Sequence, residues 1–112
     1  MSLEFQIHDS DKPLSQDHYW IIVDGEKTLA RSEMLSSFTA AWTIANKVKE
    51  ETWKYTFITF RDINGKYRWR IAGGNGEKVV SSTKAYDYEW QANSVRDEFK
   101  RNAPYAKVVD MT

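Results

Sequence analysis

The chain has 112 residues, 41% of them hydrophobic, and 16 Lys+Arg balance 16 Asp+Glu to a formal net charge of +0. It contains no cysteine, which excludes disulfides, zinc–thiolate sites and a cysteine nucleophile. This is one domain's worth of chain, and aromatic residues at 14%, five of them Trp, supply large flat side chains for a core. No apolar run approaches the roughly 20 residues of a membrane span. Met1-Ser2-Leu3-Glu4-Phe5 lacks the basic start and apolar stretch of a signal peptide. The expectation is a soluble cytoplasmic protein with no membrane contact.

The neutral total hides an asymmetry. Residues 1–54 hold six basic and nine acidic side chains, a balance of −3, and residues 55–112 hold ten and seven, a balance of +3. Such halves can attract each other within a chain or between two chains, or present a basic face to an anion. An unevenly composed solvated surface gives the same numbers.

In chain order, Phe5-Gln6-Ile7-His8 reads as a strand. Asp9 to Asp17 is a longer polar connection, interrupted by Pro13. Tyr19 to Val23 is a second strand, Asp24-Gly25 a turn, and Lys27 to Ala30 a third strand. Ser36 or Ser37 caps a helix that carries Ala41, Ile44, Ala45 and Val48 on one face. Glu50 to Lys54 has no Gly or Pro, so it does not read as a flexible linker.

Phe57-Ile58-Thr59-Phe60 opens a second series. Asn64-Gly65 predicts a type I′ hairpin turn, because both residues tolerate positive φ. Tyr67-Arg68-Trp69-Arg70-Ile71 alternates strictly, with Tyr67, Trp69 and Ile71 on one face and Arg68 and Arg70 on the other. Gly73 to Gly76 is another turn and Lys78 to Ser82 a further strand. Asp87 is placed to cap a helix whose stripe is Tyr88, Ala92, Val95 and Phe99. Asn102-Ala103-Pro104 stops it, and Ala106 to Val109 adds a short final strand.

The two series echo each other. Asp24-Gly25-Glu26-Lys27 answers Asn75-Gly76-Glu77-Lys78, and Trp20 answers Trp69. Ala41, Ile44 and Val48 answer Ala92, Val95 and Phe99. A period near fifty residues is one supersecondary unit used twice. The predicted fold is α+β: two tandem βββα repeats, about 5–53 and about 57–112, with pseudo-twofold symmetry. An antiparallel sheet covered by two helices would make one compact domain of residues 1–112.

Tyr67-Arg68-Trp69-Arg70-Ile71, Asn75-Gly76-Glu77 and Asn102-Ala103-Pro104-Tyr105-Ala106 resemble the YegP-like family of small bacterial and archaeal domains of unknown function. Phe57, Phe60, Asp62, Val108, Asp110 and Thr112 also fit, so the resemblance covers residues 57–112. It implies tandem copies of a meander-plus-helix unit. It brings no activity, cofactor or catalytic residue. The first copy lacks both arginines and the Asn-Ala-Pro stop.

Trp20 and Trp69 are read as core anchors. Arg68 and Arg70, with Arg61, Lys66 and Lys78, are candidates for a basic face that meets nucleic acid or another anion. Charges of this kind are also ordinary on the solvent side of a sheet. With Trp20 set against Trp69, Tyr19 matches Arg68 and Ile21 matches Arg70, so the face that is basic in the second copy is Tyr19, Ile21 and Val23 in the first. That apolar face packs on another element, on a second subunit in a homodimer, or on nothing outside a curled sheet.

His8, Asp9, Asp11, Asp17 and His18 bracket the first loop, but their spacing matches no recognised zinc or calcium motif, and no metal is assigned. There is no HExxH, GxSxG or phosphate-binding glycine loop, so no catalytic residue or cofactor is assigned either. The reading is a non-enzymatic interaction or structural module. Nucleic-acid or anion binding through the basic face is the alternative.

Overall fold

The computed structural model describes residues 2–12 and 14–112, so the interruption expected at Pro13 and the reading of Met1 lie outside the described residues. Strand β1 spans Leu3–Asp9, β2 His18–Asp24 and β3 Lys27–Ser32, and helix α1 follows at Phe38–Glu50. A 3-10 turn at Thr52–Lys54 leads to β4 (Thr56–Arg61), β5 (Tyr67–Ala72), β6 (Lys78–Ser82) and helix α2 (Glu89–Asn102). A second 3-10 turn, Ala103–Tyr105, carries Pro104 and leads to β7 at Lys107–Asp110.

All seven strands join one sheet in the order β4-β5-β6-β3-β2-β1-β7. Each neighbouring pair is antiparallel except β1 and β7, which run parallel. The protein is a small α+β fold with a mixed sheet and two helices. The expected antiparallel-only sheet is corrected at its last strand. A hairpin turn forces its strands antiparallel, whereas β7 follows a helix and is free of that constraint.

Two local expectations also change. Helix α1 starts as expected, with the Ser37 hydroxyl accepting from the Ala40 N–H at 3.1 Å. Helix α2 is not capped by Asp87. Its N-cap is Tyr88, whose N–H donates to the Gln91 side chain at 3.1 Å, because the Asp87 carboxylate is held by Lys66 across the turn. Tyr88 therefore stays 61% exposed, off the buried stripe formed by Ala92 and Phe99. The β4–β5 turn is not type I′, since Gly65 (φ 77) has positive φ and Asn64 does not. Asp62 organises it instead: its carboxylate accepts from the Asn64 and Lys66 N–H groups, both at 2.9 Å.

The core lies between the sheet and the helices. Trp20, Trp69, Phe5 and Phe99 are each 0% exposed. Phe5 stacks on Trp20 (ring centroids 5.6 Å) and on Phe99 (5.9 Å), and Phe99 stacks on Trp69 (5.6 Å). Both indole N–H groups are buried without a partner among the described residues. An unpaired buried donor costs about 1–3 kcal/mol. Burying the ring's roughly 150–250 Å² at about 25 cal/mol per Å² stabilises by about 4–6 kcal/mol, so the ring area prevails.

Two buried serines support the tryptophans. The Ser32 hydroxyl accepts from the Trp20 backbone N–H at 2.9 Å and donates to the Glu33 carbonyl at 2.9 Å. The Ser82 hydroxyl accepts from the Trp69 N–H at 3.2 Å and donates to the Lys84 carbonyl at 3.1 Å. Across the middle of the sheet, Ala30 faces Ser82, Arg31 faces Ser81 and Ser32 faces Val80.

Trp69→Ala is expected to lose about 3–5 kcal/mol of unfolding free energy in denaturant melts. A loss under about 1 kcal/mol would contradict the burial of that ring. Ser82→Ala removes the acceptor from a buried N–H, and the same melts should show a loss of about 1–3 kcal/mol.

Candidate functional site

Because side chains alternate along a strand, burying Trp20, Ile22, Ala30, Ser32, Trp69, Ile71, Val80 and Ser82 on one face sends their neighbours to the other. Both helices send side chains into the core on the first face, and among the described residues no helix packs on the second. Register places Ile58, Arg70, Ser81, Arg31, Ile21 and Gln6 in one row across that second face. Strands lie about 4.8 Å apart, so Arg70 and Arg31 straddle Ser81 with backbones roughly 10 Å apart. The Arg31 guanidinium lies 4.0 Å over the Tyr19 ring, and that of Arg70 lies 5.2 Å over Phe60. His8 stacks on the Tyr19 ring at 5.5 Å.

The sequence candidates distribute unevenly over this surface. Tyr19 and Ile21 are half-buried among their neighbours, and Val23 is buried at 7% exposure. The five basic residues do not converge. Arg68 donates from Nε to Asp62 Oδ2 at 3.0 Å and from Nη1 to the Ser82 carbonyl at 3.2 Å. Lys66 pairs with Asp87, and Lys78 Nζ pairs with Glu33 Oε1 at 3.0 Å. Arg61 lies opposite Tyr67, on the strand face that Phe57 and Thr59 share. Of the five, Arg70 is left on the outer face without a carboxylate partner among the described residues.

Arg31, across Ser81 from Arg70, lies beyond the third strand expected to end at Ala30, since β3 runs to Ser32. Carrying the alternation two residues further, to Ser32, would have exposed it.

Asp62 joins the turn to this surface. The Lys66 backbone N–H, then Arg68 and the Asn64 N–H, hold its carboxyl below the ordinary aspartate value, against the opposing effect of desolvation. Hydrogen bonding to Lys66 likewise lowers Asp87, and the same contact raises Lys66.

The loop residues do not assemble into a metal site. Asp9 and His18 face each other across β1 and β2, with Oδ1 to Nε2 at 2.8 Å. His8 turns to the outer face and bonds Gln6 at 3.0 Å. Among the described residues no group of three or more His, Cys, Asp or Glu side chains converges. A cleft of about 430 Å³ opens between the N-terminal end of β1 and the start of β7, lined by Ser2, Leu3, Glu4, Val23, Asn102 and Tyr105. Glu4 is its only carboxylate, and no histidine lines it, so it lacks a paired acid and base. No helix among the described residues is long and apolar enough to cross a membrane.

Fold and surface together define a small α+β protein with a mixed seven-stranded sheet and two helices. Residues 62–110 match the model of a domain of unknown function, DUF1508. Two UPF0339 proteins of Agrobacterium fabrum are 33% and 36% identical to the chain, each over 58 residues that make up 52% of this chain and 92% of the relative. The chain belongs to this family, UPF0339, whose function is unknown.

Two solution structures share the fold. A UPF0339 protein from Shewanella oneidensis superimposes with a TM-score of 0.81 at 13% identity, covering 100% of this chain and 93% of that one. The protein of unknown function yegP from E. coli does so with a TM-score of 0.78 at 20% identity, covering 100% and 95%.

The Asp62 clamp has a definite pH sign. A carboxyl whose folded pKa is lowered contributes stability that is present above its unfolded value and is lost as pH falls through the folded one. An NMR titration of the Asp62 carboxyl should give a midpoint below 3.8, its ordinary value. A midpoint at or above that would remove the clamp.

Proposed function

We propose that the chain is a non-enzymatic interaction module that associates with a second copy of itself through the outer face of its sheet. The observation that carries this reading is the row in which Ile21 and Ile58 flank Arg31, Ser81 and Arg70, on the face that no helix covers. Half-buried apolar side chains supply area, and the guanidiniums supply direction. Residues 1–54 carry a balance of −3 and residues 55–112 one of +3, from six against nine and ten against seven charges. Two copies arranged about a twofold axis set the acidic half of one against the basic half of the other.

The reading extends to the architecture. The chain is one compact domain made of two copies of a βββα unit, about 5–53 and about 57–112. A radius of gyration of 13.6 Å supports this, since a single domain of this length has about 13 Å. The relatives support it too, because 58 residues span 92% of each, about one unit. The matched supports under the tryptophans, Ser32 and Ser82, are a third support. A cysteine-free chain with this surface suits the cytoplasm.

The dimer is tested by light scattering on the eluting protein. The mass should be about twice 13.1 kDa and should fall to one chain's worth in Ile21→Lys. A single-chain mass before and after the substitution ends the reading. If the halves are copies, Ser32→Ala and Ser82→Ala cost about the same, within roughly 0.5 kcal/mol. Unequal costs break the correspondence without touching the dimer.

Arg31 and Arg70 also favour a second reading, an oligoanion held on this face. Nothing in the family's description points to nucleic acid. Retention on an anionic column that drops steeply with salt, and drops further in Arg70→Glu, is the expected signature.

A further inference from the structure

The two edges of the sheet are unequal. On the strand order β4-β5-β6-β3-β2-β1-β7, a twofold axis between β6 and β3 exchanges β4 with β1, β5 with β2 and β6 with β3. It carries β7 to a position outside β4, and among the described residues no strand lies there. Register makes the correspondence residue by residue. Phe5 faces Ile22 and Ile7 faces Trp20, just as Phe57 faces Ile71 and Thr59 faces Trp69. Beside Phe5 and Ile7 run Val108 and Asp110 of β7.

The difference shows in burial. Phe5 and Ile7, beside β7, are 0% exposed. Phe57 and Thr59, on the open edge, are only partly buried. From Thr56 to Phe60, β4 has no proline, bulge or charged side chain to protect the edge from pairing, and its one charge, Arg61, stands at the strand end.

The helix above this edge tells what would fit. By the repeat alignment, Arg96 on α2 stands where α1 has Ala45, which is fully buried. The Arg96 guanidinium donates from Nη1 to Thr59 Oγ1 at 2.8 Å. Lys100 Nζ sits 5.4 Å over the Phe57 ring. Asp97 Oδ1 accepts from Arg96 Nε at 3.0 Å, and the two cations exceed that one carboxylate. The open edge therefore presents a strand ladder, an apolar ring and excess positive charge.

We infer that the free edge of β4 binds an extended peptide segment of another protein, running parallel to β4. Its residue beside Phe57 is apolar, and its residue two positions on, beside Thr59, is Asp or Glu. The backbone ladder supplies affinity, and the Phe57 and Arg96–Lys100 positions supply specificity. A second copy is not the natural occupant. Each chain has one β7, already seated on its own β1, so exchanging it fills one edge only by opening another. The inference rests on the proposed correspondence of the two halves. It is independent of the outer sheet face.

The chain's own β7 provides the probe. Its pattern, Val108 then Asp110, has the apolar and acidic spacing that the edge asks for. A fluorescein-labelled peptide of residues 106–112 is titrated into the full-length protein and followed by anisotropy. Saturable binding is expected, with the alternate amides of β4 that face the open edge gaining protection from hydrogen exchange. The same peptide carrying Asp110→Lys should bind at least about tenfold more weakly, as expected for loss of a charge-assisted hydrogen bond.

Arg96→Glu in the protein should weaken the unaltered peptide to a similar degree. The peptide variant needs no change in the protein, so a folding defect cannot mimic its effect. No binding overturns the inference, as does equal affinity for both peptides. Protection of β1 in place of β4 also overturns it, by showing displacement of the native β7. So does protection of β4 without peptide in a dimer, which would make a second copy the occupant. A failure of the correspondence itself appears elsewhere, as unequal costs of Ser32→Ala and Ser82→Ala.

Discussion

Stacking of four aromatic rings holds the two halves together. Trp20 and Phe5 come from the first half, and Phe99 and Trp69 from the second. The Phe5 and Trp20 rings stack almost parallel, 2° apart, and Phe99 bridges Phe5 to Trp69 with centroids at 5.9 and 5.6 Å. Each ring removes on the order of 150–250 Å² from water, and offset contacts of this kind add about 0.5–1.5 kcal/mol per pair. Backbone ladders join the halves as well, with three register pairs between β3 and β6 and four between β1 and β7. Thr83 reinforces the first, donating from its N–H to the Leu29 carbonyl at 3.0 Å and from its hydroxyl to the Thr28 carbonyl at 2.7 Å. Separating the halves would expose the rings, so the sheet is continuous because the aromatic core is shared.

That shared core decides what the surface can be. With the largest apolar side chains of β1, β2 and β5 committed inward, the opposite face receives Gln6, Tyr19, Ile21, Arg68 and Arg70. A sheet covered by helices on one side only has a face free for contact. Trp20 and Trp69 are equally buried on the inner face, while the outer row carries Ile21 and Arg31 beside Ser81 and Arg70. Internal likeness serves stability, and external difference is where specificity can reside. The same division appears at the edges, where Phe5 is covered by β7 and Phe57 by a lysine side chain.

Much of the fold was readable because it rests on local periodicity. Strict alternation around Trp69 and the turn glycines located β5 and its neighbours, and the spacing of Ala41, Ala45 and Val48 located α1. The failures have a common form: a charged partner takes the group that local composition assigned elsewhere. Asp87 has the right character for a cap, but Lys66, 21 residues earlier, takes its carboxylate. Asn64-Gly65 has the composition of a tight turn, but the carboxylate of Asp62 accepts both available N–H groups and widens it. The basic cluster dissolved in the same way, since Arg68, Lys66 and Lys78 each found a carboxylate. Arg31 entered the surface because β3 runs two residues longer than its composition indicated.

The sequence by itself determined the units: which stretches form strands and helices, and that Trp20 and Trp69 lie inside. These follow from side-chain period and hydrophobicity, which are properties of neighbouring residues. Tertiary structure alone decided that β3 meets β6, that β7 runs parallel beside β1, and that Arg70 shares a row with Arg31. Pairing between strands depends on hydrogen bonds and packing between residues far apart in the chain. No local pattern encodes which edge is filled and which is left open.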